Sequence, residues 1–202
     1  MNTIASNTLA PRRSAPGHAR RSLRRLYLVR GLLAVAWAGI FAGAHATLDA
    51  FAVALLVAYP LIDALSSLVD YRATANRSQR GITAFNGVLS MLAAIAMGVA
   101  GGIGAGAALV VFGAWAVVSG AAQLAVGWRR RGPELGKQWP MLIAGGLSFL
   151  VGISYVIRAV GEQPSLDVLS VYATGGGVFF IVQSILLTCR ARRQRRVGGR
   201  AY

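Results

Sequence analysis

Hydrophobic residues are grouped along this chain into six long runs, separated by short stretches rich in arginine, glycine and polar residues. A helix needs roughly 20 mostly apolar residues to cross about 30 Å of hydrocarbon. Each run is about that long, and its apolar residues cover all sides of a helix instead of alternating, which argues against membrane β-barrel strands. The pattern predicts six membrane-spanning helices, at residues 26–44, 48–69, 81–100, 105–128, 139–160 and 166–189.

The composition agrees with a membrane protein. Of the 202 residues, 55% are hydrophobic and 13% are charged, whereas a soluble domain has about 25% charged residues. The single cysteine, Cys189, excludes an intrachain disulfide, and with only two histidines beside it the chain offers no metal-ligand set. We therefore expect no metal and no cofactor. An enzyme is not expected either, because the connections are short and contain no catalytic motif.

Basic residues mark one side of the predicted membrane domain. Of the 21 lysines and arginines, 20 lie around the start of the first helix, after the second and fourth helices, or after the sixth, and only Arg158 lies on the other side. The positive-inside rule places the basic side in the cytoplasm, so both termini are predicted there and the protein in the inner membrane. Because these arginines flank the spans directly, we expect them to contact anionic lipid headgroups, not nucleic acid.

The predicted organisation has three parts. Residues 1–22 form a basic, disordered arm, residues 23–190 the transmembrane domain, and residues 191–202 a basic tail. The arm is not followed by the short apolar core and cleavage site of a signal peptide, so no cleaved leader is expected.

The six helices divide into three similar hairpins, at residues 26–69, 81–128 and 139–189. Their first helices share a glycine-led start, at Arg30-Gly31, Asn86-Gly87 and Gly145-Gly146, with the second residues of these pairs 56 and 59 positions apart. Their second helices place an aromatic residue four positions before a small or polar one, at Tyr59 and Asp63, Trp115 and Ser119, and Tyr172 and Gly176. All three hairpins enter from the same side, so the prediction is of parallel repeats, not inverted ones.

Over residues 26–190 the chain resembles the HdeD-like acid-resistance membrane proteins. The resemblance rests on the glycine-led first helix, the aromatic-x-x-x-small second helix with its Tyr71-Arg72 or Trp128-Arg129 ending, and the six-span layout. It implies a small bacterial inner-membrane protein, linked in some relatives to survival of acid stress, and it brings no catalytic residues. The spacing of Gly39 and Gly43 also allows close helix approach, and hence a homo-oligomer.

Arg30 and Asp63 are the two ionisable residues well inside the predicted spans. They lie roughly 7 and 10 Å from the basic side on antiparallel neighbours, so an intramembrane ion pair is predicted. Such a pair either satisfies both charges and fixes the first hairpin, or it contains a titrating acid, Asp63, of a transporter or channel. Pro60 predicts a kink nearby, because it removes an amide donor and leaves a carbonyl near residue 56 in need of another partner.

Four titratable residues lie on the other side of the membrane, in or beside the short turns: His45, Asp49, Glu162 and Asp167. They are candidates for sensing external acid, and also the polar residues that any turn contains.

Taken together, the sequence predicts an all-α integral membrane protein of three parallel-repeat hairpins. The favoured function is a non-enzymatic role in acid or envelope stress tolerance, and the alternative is a small proton-coupled transporter or channel that uses Asp63.

Overall fold

The structure is a computed structural model that describes residues 16–74, 77–129 and 139–198. Over these residues the chain forms six helices, α1 (Pro16–Ala44), α2 (Ala50–Ala73), α3 (Arg77–Ile103), α4 (Ala105–Arg129), α5 (Trp139–Ala159) and α6 (Asp167–Gly198). Each contains a segment long and apolar enough to cross a membrane. The prediction of an all-helical protein with six candidate spans is confirmed. Parts of the predicted arm, tail and basic connections, at residues 1–15, 75–76, 130–138 and 199–202, lie outside the described residues.

Two helices extend well beyond the apolar runs that predicted them. Helix α1 begins at Pro16, within the segment predicted as an arm, and α6 continues to Gly198, within the predicted tail. Arginine and alanine favour helix, so the arginine-rich flanks can continue a helix that the membrane requires. The apolar pattern therefore marks where the chain crosses hydrocarbon, whereas the helix ends are set by other residues.

The helix ends away from the arginines have short and specific connections. Asp49 caps α2, because its carboxylate accepts a hydrogen bond from the amide of Ala52 at 2.8 Å. Gly104 alone separates α3 from α4, and its φ of 145° is a conformation that favours glycine. These connections hold neighbouring helices antiparallel.

The helices form a closed ring in which each contacts its neighbours in the chain and α1 contacts α6. The most extensive packing joins α4 to α5, α2 to α3, and α1 to α6. These pairs are offset by one helix from the hairpins that the repeat predicts. Glycines allow the close approach: a Cβ atom at Gly120 would lie 2.6 Å from the carbonyl oxygen of Gly145, and one at Gly31 would lie 2.7 Å from that of Gly177.

The character of the buried side chains changes along the ring axis. We call the end where α1, α3 and α5 begin and α2, α4 and α6 end the basic end. The hydrophobic core lies mainly in the half away from it, where Phe41, Leu56, Leu109, Phe112 and Leu169 are fully buried. Aromatic rings from the even-numbered helices meet at the inner edge of this core: the Phe112 ring lies 5.7 Å from that of Tyr59 and 5.3 Å from that of Tyr172.

Candidate intramembrane polar site

Arg30 of α1 and Asp63 of α2 form an ion pair inside the ring. Helix α6 contributes a further contact, since the Arg30 guanidinium lies 4.8 Å from the centre of the Phe180 ring, a cation–π arrangement. Burying charges inside a membrane protein is costly unless they are paired and hydrogen-bonded. Asp63 is the acid within the apolar part of α2, and Arg30 supplies the counter-charge that its burial requires.

Helix α3 supplies two hydrogen bonds to the Asp63 carboxylate. The side-chain amide of Asn86 and the hydroxyl of Ser90 each donate to Asp63 Oδ2 at 2.7 Å. The Asn86 amide also donates to the Ser67 hydroxyl at 2.9 Å. Three side chains from two neighbouring helices thus converge on one carboxylate and provide its charge with a cation and two hydrogen-bond donors.

The network reaches a fourth helix through Ser90. The indole Nε1 of Trp115 in α4 donates to the Ser90 hydroxyl at 3.1 Å. Through this bond the network extends from α1 to α4, in the order Arg30, Asp63, Ser90 and Trp115. It bridges two pairs of helices, α1–α2 and α3–α4, that are less extensively packed than the glycine-lined pairs. These contacts make the network a polar link between the closely packed helix pairs.

The third of the less packed junctions, α5–α6, is joined by neutral groups. The hydroxyls of Ser148 and Tyr172 are hydrogen-bonded at 3.0 Å, and the Tyr155 hydroxyl donates to the carbonyl of Val168 at 2.6 Å. Gly145 and Gly176 occupy the repeat positions that Arg30 and Asp63 hold in the first hairpin. At these repeat positions the sequence has a charge pair in the first predicted hairpin only.

Sequence reasoning identified Arg30 and Asp63 but missed the donors from α3 and α4. One signal was available for Asn86, which holds in the second hairpin the repeat position that Arg30 holds in the first. Ser90 lies one helical turn further along the same face. No pattern in the sequence marks Ser90 as a partner of Trp115, because that contact depends on how α3 and α4 are packed.

Pro60 lies buried inside α2, which continues as a helix on both sides of it. Because proline lacks an amide hydrogen, it leaves the carbonyl of Leu56 without its usual donor. The Trp37 indole donates to the adjacent carbonyl, that of Leu55, at 2.7 Å. A side chain of α1 thus contributes a hydrogen bond where the α2 backbone is weakened, and the kink at Pro60 stays a prediction.

The four titratable residues of the opposite side lie apart from this site. His45 follows α1, and its ring lies 6.0 Å from that of Phe41, whereas Asp49 caps α2 as described. Glu162 is exposed in the connection between α5 and α6. Asp167 is the first residue of α6, and it lies near enough to His45 for the two side chains to interact electrostatically. Among the described residues, no three His, Cys, Asp or Glu side chains are grouped so that they could hold a metal ion.

Replacing Ser90 with alanine is expected to lower the free energy of unfolding by about 1–3 kcal/mol, because it leaves the buried Trp115 Nε1 without an acceptor and removes a donor to Asp63. Ser170→Ala is a matched control, since the buried Ser170 hydroxyl has no hydrogen-bond partner. Thermal unfolding in detergent measures both variants. Equal losses from the two variants would contradict a role for Ser90 in the network.

One comparison with known proteins finds a match. The sequence model of a family described as a short repeat of unknown function (DUF308) matches residues 85–157. No curated protein and no solved structure matches the chain. The matched segment runs from α3 into α5 and contains Asn86, Ser90 and Trp115 of the polar site. This part of the helical membrane protein is therefore similar to the DUF308 short-repeat family.

Proposed function

We propose that this protein is a non-enzymatic, multipass protein of the bacterial inner membrane, similar to HdeD, that contributes to tolerance of acid or other envelope stress. The match to the short-repeat family carries the proposal, because HdeD belongs to that family. The arginines at the basic end support a cytoplasmic position for both termini, and anionic headgroups of the inner leaflet as their partners.

The polar site supports a structural role for Arg30 and Asp63 within this proposal. The Asp63 carboxylate is paired with Arg30 and accepts hydrogen bonds from Asn86 and Ser90. A paired and hydrogen-bonded charge fixes which helices lie next to each other, because any other arrangement leaves it unsatisfied in hydrocarbon. We therefore assign the pair to the architecture of the bundle, where it holds α1 against α2 and α3.

External acid would act on the opposite end of the bundle. His45 and Asp167 lie within electrostatic range of each other there, and Asp49 and Glu162 are exposed nearby. Protonation of these groups changes the charge of that end of the bundle in acid. We propose that this change of charge is the signal to which the protein responds.

A deletion strain tests the proposed function directly. Survival after transfer to low pH is expected to fall in the deletion strain and to return with the wild-type gene. A gene that carries His45→Gln, Asp49→Asn, Glu162→Gln and Asp167→Asn should restore survival less well if these groups sense acid. Asn still caps a helix, so Asp49→Asn removes the charge and keeps the cap. Unchanged survival of the deletion strain, with intact membranes, would contradict the stress role.

The alternative is a proton-coupled transporter or small channel in which Asp63 titrates. The observation that favours it is the position of the pair: the side chains of Arg30 and Asp63 keep 18% and 17% of their surface exposed although both lie inside a spanning segment. Proton flux into liposomes should then fall in Asp63→Asn relative to wild type. Equal flux in both proteins would remove Asp63 from any transport mechanism.

A further inference from the structure

Helices α1 and α6 stay in contact as far as the basic end of the bundle. The Ser184 hydroxyl of α6 donates to the backbone carbonyl of Arg24 in α1 at 3.1 Å, and Arg24 Nη1 donates to the Thr188 hydroxyl at 3.4 Å. Arg24 is the first residue of the apolar segment of α1, and Thr188 is the last but one in that of α6. The two helices therefore lie side by side where the apolar part of the bundle ends.

Arg24 carries a charge that no described carboxylate neutralises. The pair of Arg30 and Asp63 is the one salt bridge among the residues that the structure describes. The Nε atom of the half-buried Arg24 is buried without a hydrogen-bond partner, and its bond to Thr188 is to a neutral hydroxyl, which itself donates to the carbonyl of Ser184 at 2.9 Å. A partly buried guanidinium with neutral contacts favours an anion beside it, because a charge removed from water needs a counter-charge.

The ends of α1 and α6 add more positive charge at the same junction. Residues 16–25 and 187–198 are helical and contain no acid. Their arginines are Arg20, Arg21, Arg24, Arg25, Arg190, Arg192, Arg193, Arg195 and Arg196. The two other closely packed pairs, α2–α3 and α4–α5, are less basic at this end: residues 70–80 contain three arginines and one acid, and residues 129–137 contain four basic residues and one acid.

These arginines repel one another unless an anion lies between them. Packed helices lie about 8–10 Å apart, which is close to the distance over which salt screens exposed charges, about 8 Å at physiological ionic strength. Helices α1 and α6 are held together by contacts at Arg24, so their basic ends begin at that separation. A ligand with more than one negative charge would stabilise both helices at once.

Apolar side chains lie directly beside this charge, toward the middle of the bundle. Leu28 lies one turn from Arg24 in α1, and Ile185 lies one turn from Cys189 in α6; they are 40% and 54% exposed. A ligand at the junction therefore meets guanidinium groups, which bind phosphate well, next to a surface that suits acyl chains. This combination fits a phospholipid better than a nucleic acid.

We propose that the basic end of the α1–α6 junction binds a phospholipid with two phosphate groups, of the cardiolipin class, with one phosphate against arginines of α1 and the other against arginines of α6. Joining two phosphates in one molecule makes the second contact intramolecular, which favours this lipid over two separate headgroups. Basic sites between spanning helices bind headgroups of this kind. The inference deepens the proposed contact with anionic headgroups and rests on it, whereas it does not depend on the stress role.

Lipid titration followed by native mass spectrometry tests the site in the full-length protein. Cardiolipin is compared with phosphatidylglycerol, which has one phosphate, and wild type should bind cardiolipin at least about tenfold more tightly. Arg24→Gln should weaken cardiolipin binding about fivefold, and the double variant Arg192→Gln with Arg193→Gln should weaken it at least as much. Glutamine favours helix as arginine does, so the fold should be retained. Arg77→Gln, which removes an exposed arginine of α3 at the same end, is the matched control and should bind as wild type.

The possible failures of this test are distinguishable. Equal affinity for the two lipids would overturn the two-phosphate site, and binding of neither lipid would also contradict the general contact with anionic headgroups. Equal losses in Arg24→Gln and Arg77→Gln would overturn the location at α1 and α6. Complete displacement of cardiolipin by millimolar inorganic pyrophosphate, or tighter binding of single-stranded RNA, would overturn the assignment to a lipid. None of these results depends on survival in acid, which tests the stress role separately.

Discussion

Asp63→Leu is expected to destabilise the bundle more than any other single substitution in the polar network, by about 3–5 kcal/mol. The change leaves the guanidinium of Arg30 inside a spanning segment without its counter-charge, and it deprives Asn86 and Ser90 of their shared acceptor. The stability of the purified protein in detergent, measured as the fraction that stays monodisperse after heating, reports the loss.

Two further variants identify the source of that loss. Combining Arg30→Leu with Asp63→Leu should recover most of the stability, because replacing both members of a buried pair by apolar residues is often close to neutral. Asp63→Asn should cost less than Asp63→Leu, since the amide oxygen still accepts from Ser90. A double variant as unstable as Asp63→Leu would show that the unpaired arginine is not the cause.

Gly120→Ala is expected to have the second largest effect, a loss of about 1–3 kcal/mol from overpacking. The added Cβ would lie 2.6 Å from both the carbonyl oxygen of Gly145 and the amide nitrogen of Phe149. Both are backbone atoms that cannot move without their helix, so α4 and α5 must separate. The same heating assay measures the change.

Gly39→Ala is the matched control for this prediction. A Cβ atom at Gly39 has nothing within 4 Å, and the residue is exposed on α1. Alanine favours helix over glycine by about 1 kcal/mol in a soluble protein, so this variant should be as stable as wild type or more stable. Similar losses at the two positions would contradict the close packing of α4 on α5.

The sequence predicts the number and position of the helices because a membrane imposes a simple rule of length and hydrophobicity. All six predicted spans lie within or close to the six helices of the structure. Helix ends follow a different rule. The extension of α1 back to Pro16 and of α6 on to Gly198 uses arginine-rich segments that hydropathy cannot assign to helix.

The packing of the helices was harder to predict. The repeat shows which segments are similar, whereas the most extensive packing joins α2 to α3, α4 to α5 and α6 to α1, where glycines permit close approach. The predicted depths of Arg30 and Asp63 in the membrane indicated that these two side chains could meet. Ser90 and Trp115 are neutral, and their place in the network depends on the relative register of three helices, which a single sequence does not determine.

Cysteine labelling in intact cells tests most directly the central claim, that the chain crosses the membrane six times with its arginines on the cytoplasmic side. In a Cys189→Ser background, single cysteines replace Arg77 and Glu162, which are exposed at opposite ends of the bundle. A membrane-impermeant maleimide should label Glu162→Cys in intact cells and Arg77→Cys only after the membrane is permeabilised. Labelling of Arg77→Cys in intact cells, with Glu162→Cys protected, would contradict the proposed orientation.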